Sequence, residues 1–537
     1  MTQGRCLQVV LAMACLLLPV ALQGAGGFIS HGVLYAILWS AFLSALWLLL
    51  RWPLWPCLPA IFLSFAYSGY LVSQRDDVGY NEVSAMLDSD PAEAFAYVSQ
   101  PWALACIGVI SLMFAGLCWL LGGRWLQRRL PREVRLHIAV LPLLMAWCVG
   151  HYALTGDAWH KQQMYPVNLI AKGAHFIREV QYAKHRYAAL QYRYAGPEAA
   201  QCPPQLTAVL VIGESARAAN WSLYGYGRDT NPQVSACFTK SAGRGVVFAD
   251  ALAAGRLTMH SVPSILSPAS AREFQDYCAK PSLLRVFVEA GYRTAVLSSH
   301  VRASEFWDGP CALMKGDARE SRHFDKDGDL PAALGEWLAQ GDLPRQFAVL
   351  HLFGSHYDYA DRYPREFARF SGGDPLVDTY DNSILFTDHV LAGLIGELDR
   401  RREPAVLFYA SDHGENLNDF GDGNLHHSCR DFTRYEIEVP MIFYANQAFA
   451  DAYPERLAAI RACASQPVGH DNLAHTLLGL AGLADPQAYR PAYDLSQAPY
   501  VPQPRFLITS LHESVAEEAI RATPQGRRGG LAQPSSR

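Results

Sequence analysis

The sequence predicts two kinds of structure in one chain of 537 residues: a five-helix transmembrane region, then an α/β domain with a mostly parallel sheet. Three observations predict it. Residues 1–156 carry five long apolar segments and very few charges. From about residue 205, short apolar runs alternate with longer amphipathic pieces, as strands and helices do around a sheet covered on both faces. Two of those runs end in polar groups. Val209-Leu210-Val211-Ile212-Gly213 leads into Glu214-Ser215, and Ala405-Val406-Leu407-Phe408-Tyr409-Ala410 leads into Ser411-Asp412-His413.

The apolar segments run over 7–22, 32–50, 53–73, 102–122 and 136–156. Each approaches the ~20 residues that cross a bilayer as a helix. A signal peptide competes for the first, because Arg5 precedes it; the four spans that follow favour an anchor. Arg124, Arg128, Arg129, Arg132 and Arg135 lie between the fourth and fifth spans, and Arg51 between the second and third. The positive-inside rule makes both loops cytoplasmic. The loop 74–100 holds Asp76, Asp77, Glu82, Asp88, Asp90 and Glu93 and lies on the other side. Five spans then put everything after Gly156 outside the cytoplasm.

Composition agrees. Half the residues are hydrophobic and 18% are charged, with a formal net charge of -5. The roughly 25% charged content of soluble domains is not reached, and the acidic balance argues against a nucleic-acid partner. Six of the 12 cysteines lie in the apolar region; the others are Cys202, Cys237, Cys278, Cys311, Cys429 and Cys463. In an oxidising compartment an even set suggests up to three disulfides. No pair has the CxxC spacing of a zinc-thiolate site.

Residues 157–204 read as a mostly helical, Tyr-rich connector suited to a membrane interface. The domain proper is expected over 205–523, with strands at 208–213, 294–298, 347–352, 405–410, 439–445 and 506–509, and helical pieces at 379–400 and 471–483. Residues 524–537 are rich in Gly, Arg, Ser and Gln and read as a disordered tail. In parallel sheets, ligands gather beyond the carboxyl ends of strands. A carboxylate at one strand end and an Asp-His pair at another make a donor set suited to zinc, which points to metal-assisted phosphoryl chemistry.

These residues resemble a known family. Val209 to Arg217, continuing through Leu223-Tyr224-Gly225-Tyr226 to Thr230-Asn231-Pro232, is similar to the signature of bacterial phosphoethanolamine transferases. These are membrane enzymes of the alkaline phosphatase and sulfatase superfamily. Ser261-Val262-Pro263, Tyr380-Asp381-Asn382 with Asp388, and Ser411-Asp412-His413-Gly414-Glu415 match further blocks in the same order. The resemblance covers nearly the whole chain. It implies an αβα sandwich of the alkaline phosphatase type, a periplasmic catalytic domain on an inner-membrane anchor, and a monomer. It also implies zinc, one catalytic ion with room for a second, held by Glu214, Asp412, His413 and Thr258. Thr258 matches the family's nucleophile, three residues before Ser261; a helix N-cap is the bland reading of a Thr there. His356 and His426 match positions that protonate the leaving group, with His427 one residue away from the second match. The donor implied is phosphatidylethanolamine, and the acceptor a lipid A, lipopolysaccharide core or periplasmic glucan group.

The chain also departs from the pattern. Ala254-Gly255 stands where the family often has Cys-Gly, so that bridge is absent. Met259-His260 follows Thr258 where smaller residues are usual. Ala85 and Ser89 replace an Asn and a Thr of the lipid A enzymes, and His426-His427-Ser428-Cys429 replaces His-Gly-Met/Leu-Pro. Three rival readings remain. A sulfatase or phosphodiesterase-type hydrolase is imitated by Ser261-Val262-Pro263-Ser264, but Ile265 stands where that pattern needs Arg. A glycerophosphate transferase would share the zinc residues. A transporter or scaffold would carry charges inside its spans, and these have almost none.

Overall fold

The computed structural model describes residues 167–521, apart from 199–201, 301–313, 341–342, 422–424, 428–432 and 511–512. The five expected spans, the loop with Ala85 and Ser89, the expected tail, and Cys311, Ser428 and Cys429 lie outside the described residues. Among the described residues no helix is long and apolar enough to cross a membrane. The chain divides into two compact units, Met1–Arg178 and Glu179–Arg537. The second unit carries the sheet and the candidate site.

Its strands in chain order are β1 (Leu206–Gly213), β2 (Gly245–Val247), β3 (Asp250–Leu252), β4 (Arg293–Ser298), β5 (Glu320–His323), β6 (Arg345–His351), β7 (Ala405–Ser411), β8 (Asn416–Leu417), β9 (Leu425–His426), β10 (Met441–Ala445), β11 (Pro467–Gly469), β12 (Phe506–Ser510) and β13 (Glu513–Ala516). The helices are α1 (Val167–Ala188), which begins in the first unit, α2 (Pro232–Lys240), α3 (Thr258–Ile265), α4 (Leu283–Glu289), α5 (Leu330–Ala339), α6 (Pro375–Asp399), α7 (Arg434–Ile437), α8 (Gln447–Ala452), α9 (Pro454–Ala462), α10 (Asp471–Leu480) and α11 (Glu517–Arg521).

The main sheet has seven strands in the order β2-β10-β7-β1-β6-β4-β5. From β7 to β5 every pair is parallel; β10 alone runs against both its neighbours. β1 and β7 are buried along their whole length, which is why their sequences are unbroken apolar runs and not alternating ones. Val209 and Val211 of β1 share a core with Ala348 and Leu350 of β6 and with Leu334, Trp337, Leu391 and Leu394 of α5 and α6. On α4, Phe287 stacks on Phe347 of β6 with ring centroids 4.1 Å apart.

Most differences from the expected elements have local causes. Helix α6 starts four residues before the expected 379, because Asp374 caps it by accepting from Leu376 N and Pro375 takes the first helical position, where its missing N–H costs nothing. β10 starts at Met441 and not at 439, since Pro440 cannot donate to a ladder. The strand at 506–510 exists but not in the main sheet: it pairs antiparallel with β13. Leu507 there packs with Leu252, Ile437 and Ile520 in a small separate cluster.

Cys202, Cys237 and Cys463 are free thiols. The buried Cys463 thiol donates to Ala459 O at 3.3 Å. The expectation of up to three disulfides is therefore narrowed to one at most, drawn from Cys278, Cys311 and Cys429.

Candidate active site

Gly213, the last residue of β1, pairs in register with Ser411, the last residue of β7. Glu214 and Asp412-His413 therefore leave adjacent parallel strands side by side. All three are fully buried. One ligand-type atom from each lies within 4.8 Å of the others. Asp412 N donates to Gly213 O at 3.0 Å, which ties the two strand ends together. Ser215 takes a φ of 56°, and its N–H meets Asp412 Oδ1 at 3.1 Å. Its hydroxyl donates to Glu214 Oε1 at 2.7 Å.

His413 Nδ1 lies 2.9 Å from Gly414 O. A carbonyl only accepts, so this contact assigns the ring proton to Nδ1 and the lone pair to Nε2. Nε2 is 3.4 Å from Glu214 Oε1 and 3.5 Å from Asp412 Oδ2. Asp412 Oδ2 is itself buried without a hydrogen-bond partner among the described residues, an expensive state for a carboxylate oxygen. Burial and the adjacent Glu214 charge push the Asp412 carboxyl up to about 7. Burial acts the same way on Glu214, but the imidazoles of His300 and His413 outweigh it and hold Glu214 well below its usual range. Two carboxylates and an imidazole nitrogen converging in a dry pocket, one oxygen orphaned, fit a zinc-class dication.

Thr258 opens α3. The N-cap of that helix is Leu257, in extended conformation, so the Thr258 hydroxyl is not used as a cap. It donates to Glu214 Oε2 at 3.3 Å and lies 3.4 Å from His413 Nε2. The N-terminal end of a helix also favours negative charge. The hydroxyl thus stands where Glu214, His413 and a helix end meet, and the bland capping reading of Thr258 does not apply. Ala254, in place of the family's Cys, is buried; its N–H meets His470 Nδ1 at 3.1 Å and its carbonyl accepts from Ile508 N at 2.7 Å. Those contacts brace the segment before Thr258 without a disulfide.

Of the remaining expected residues, His356 sits on a loop and His426 closes the two-residue strand β9, with His427 just after it. His356 Nδ1 is 2.8 Å from Tyr357 O. Its ring centroid is 6.3 Å from that of His427, which in turn is 4.1 Å from that of His413. His427 Nδ1 meets Glu415 Oε1 at 2.8 Å. His426, with φ of 63°, turns to Tyr357 (centroids 4.4 Å) and places Nδ1 3.6 Å from Glu415 Oε2. Of the two adjacent histidines, His427 is the one packed on the His413 ring. Glu415 belongs to a matching sequence block that assigns it no role; it is fully buried and joins both rings. Burial works against its charge, yet His427 and His426 pull its pKa far down.

The block Tyr380-Asp381-Asn382 with Asp388 lies on α6 and acts as a brace. Tyr380 Oη donates to Ser215 O at 2.7 Å and accepts from Arg217 N at 2.9 Å. Asp381 holds Asn220, Tyr226 and Arg228. Asp388 accepts the first N–H groups of α2, from Gln233 and Val234. The sequence motifs assign no role to His300 or His351. His351 is the last residue of β6, His300 stacks on it with centroids 4.3 Å apart, and both lie near Glu214.

Comparisons with known proteins fit this architecture. Over 305 residues the chain is 27% identical to phosphoethanolamine transferase EptC of Escherichia coli O18:K1:H7 (strain RS218 / NMEC), covering 52% of this chain and 51% of that protein. The chain thus spans about half the length of that relative. The integral membrane protein lipooligosaccharide phosphoethanolamine transferase A (EptA) of Neisseria meningitidis superposes with a TM-score of 0.65 at 21% identity, covering 86% of this chain and 90% of that one. The C-terminal periplasmic domain of EcEptC from Escherichia coli, in complex with Zn, superposes with a TM-score of 0.56 at 22% identity, covering 64% and 100%. At those identities the likeness shows the fold. The sulfatase family model matches residues 207–483. That match takes in β1, β7 and every strand-end residue of the site, and by it the chain belongs to the sulfatase family.

Proposed function

We propose that this protein transfers phosphoethanolamine from phosphatidylethanolamine to an acceptor in the cell envelope, through a covalent intermediate on Thr258. The observation that carries the reading is the Thr258 hydroxyl, 3.3 Å from Glu214 Oε2 and 3.4 Å from His413 Nε2. A threonine hydroxyl is a weak nucleophile unless activated. Glu214, Asp412, His413 and Thr258 are the residues that would hold zinc. When bound, zinc supplies positive charge to the hydroxyl and to the phosphoryl oxygens.

Thr258 Oγ, its proton released to solvent, attacks the lipid phosphorus, and the bond from phosphorus to the diacylglycerol oxygen breaks. The leaving alkoxide needs a proton. His356 and the His426-His427 pair are the groups placed to give one, and Glu415 orients the pair. A hydroxyl or phosphate oxygen of the acceptor then attacks the same phosphorus, any proton it carries passes to the histidine that gave one up, and the Thr258 oxygen leaves and is reprotonated from solvent. The reading includes five inner-membrane spans with the catalytic domain in the periplasm, as the donor lipid requires. It is supported by the likeness to EptC and EptA, which bear the name phosphoethanolamine transferase. A hydrolase reading fits less well: Ile265, where the sulfatase pattern needs Arg, is fully buried in α3.

Mass spectrometry of envelope lipids and glycans, from cells with and without the gene, tests the reading. A phosphoethanolamine adduct that depends on the gene is expected and identifies the acceptor. No gene-dependent adduct in any envelope fraction contradicts it.

A further inference from the structure

The segment that delivers Thr258 and the strand that delivers Asp412 and His413 belong to different sheets. β7 lies in the seven-stranded sheet, whereas β3 pairs with β11 in a separate two-stranded one. β3 ends at Leu252, and the chain then runs through 253–257 to Thr258. A hydroxyl that must meet Glu214 and His413 therefore depends on how the two sheets are linked.

His470 links them. It follows β11 directly and is buried. Its N–H donates to Leu252 O at 3.2 Å, which places it beside the exit from β3. Its ring Nδ1 meets Ala254 N at 3.1 Å, and its Nε2 lies 2.9 Å from Ser411 O. Ser411 is the last residue of β7 and precedes Asp412. A carbonyl only accepts, so Nε2 carries the ring proton and the Nδ1 lone pair takes the Ala254 N–H. Only the neutral ring can do both, and burial pushes His470 down to about 4, which keeps it neutral in ordinary buffers. Capping does not explain the ring: His470 is the N-cap of α10, but its side chain makes no capping bond. Nor is it needed merely to hold the two regions together. Helix α7 already ties them, since Gly414 N donates to Glu436 O and Ala253 N to Ile437 O, each at 2.8 Å. What the imidazole adds is a rigid spacer between two backbone groups, one in the segment leading to Thr258 and one beside Asp412.

We propose that His470 is a positioning residue for Thr258: its ring sets the β3 exit against the end of β7, and so the hydroxyl against Glu214 and His413. The inference rests on the covalent reading of Thr258 given under the proposed function. His470 acts through two backbone groups and not on the lipid itself. Its effect is on rate, because a reacting group displaced by about 1 Å can cost about 100-fold.

The test follows build-up of the phosphoethanolamine adduct on Thr258 by peptide mass spectrometry. Full-length protein in detergent, loaded with zinc, is given phosphatidylethanolamine and no acceptor. Rate and final amplitude are read separately, and zinc content is measured beside them. His470→Ala should slow the build-up about 100-fold, with amplitude and zinc content unchanged. His470→Asn, whose Oδ1 takes the place of Nδ1 at Ala254, should fall between that variant and wild type. A fold defect gives the opposite pattern, with fewer competent molecules that each react at the wild-type rate. Lower amplitude at the wild-type rate in both variants would therefore overturn the proposal. Zinc lost from both would overturn it too, since His470 would then support the metal centre and not the hydroxyl. An adduct formed equally fast in wild type and His470→Ala would refute this inference alone. No adduct in wild type would refute the reading of Thr258, and the inference with it.

Discussion

The two halves of the active site are built in different ways. Glu214, Asp412 and His413 stand at the ends of β1 and β7, the central, fully buried strands, and are set by strand register. His356 stands on a loop, and His426 and His427 stand at and just after the two-residue strand β9, held by contacts to Glu415, Tyr357 and Tyr359. The first half is rigid because moving it means moving the sheet. The second half can change residue by residue while the first stays. The chain does this: its departure from the family pattern at His426-His427-Ser428-Cys429 falls in the second half. On the proposed function, the strand half would serve the nucleophile and the phosphoryl group, and the loop half the proton transfer to the leaving group.

The largest effects should come from the strand half and from Thr258, the first residue of α3, whose hydroxyl contacts it. Thr258→Ala should lower transfer by about 10⁴-fold or more, as loss of a covalent nucleophile does, with zinc still bound. Asp412→Ala and Glu214→Ala should lose zinc and fall to background turnover while remaining in the membrane fraction. Near-wild-type activity in a zinc-free Asp412→Ala preparation would break the comparison at its root.

The loop half should give smaller, separable effects. His427→Ala should reduce turnover by about 10²–10³-fold, the range for a general acid, because its ring packs on His413. His426→Ala should cost about tenfold or less, since its ring faces Tyr357 and acts on the site through Glu415. Steady-state kinetics of both variants decide it. A larger loss in His426→Ala would reverse the assignment of the two histidines, and with it the reading of the loop's geometry.

The smallest effect should come from the brace that supports the strand half. Tyr380→Phe removes the hydroxyl that bonds Ser215 O and Arg217 N, and leaves both without that partner in a buried place. It should lower unfolding stability by about 1–3 kcal/mol, measured by denaturant titration of the detergent-solubilised chain. An unchanged midpoint would show that the loop after Glu214 is held by other contacts.

The same contrast explains what is legible in the sequence. β1, β4, β6, β7 and β10 announce themselves as apolar runs because both their faces are covered. β5, Glu320-Ser321-Arg322-His323, lies at the sheet edge and carries no such run. β2 has three residues, too few for a pattern. The strand at 506–510 is legible, but its partner β13 is not, since pairing is a tertiary fact. Glu214, Asp412 and His413 can be read from position alone, as polar groups closing apolar strands. Thr258 needs the family resemblance, because a Thr before a short helix reads as a cap. His300, His351 and Glu415 are beyond reach for another reason: each gains its meaning from a residue on a different strand or loop.

The central claim is that Thr258 carries the transferred group. The direct measurement is peptide mass spectrometry after incubating the zinc-loaded protein with phosphatidylethanolamine and no acceptor. The account predicts phosphoethanolamine on the peptide containing Thr258, lost when acceptor is added and absent from Asp412→Ala. An adduct on Ser215 or Ser261, or full transfer activity with no adduct on Thr258 at any time, would contradict it.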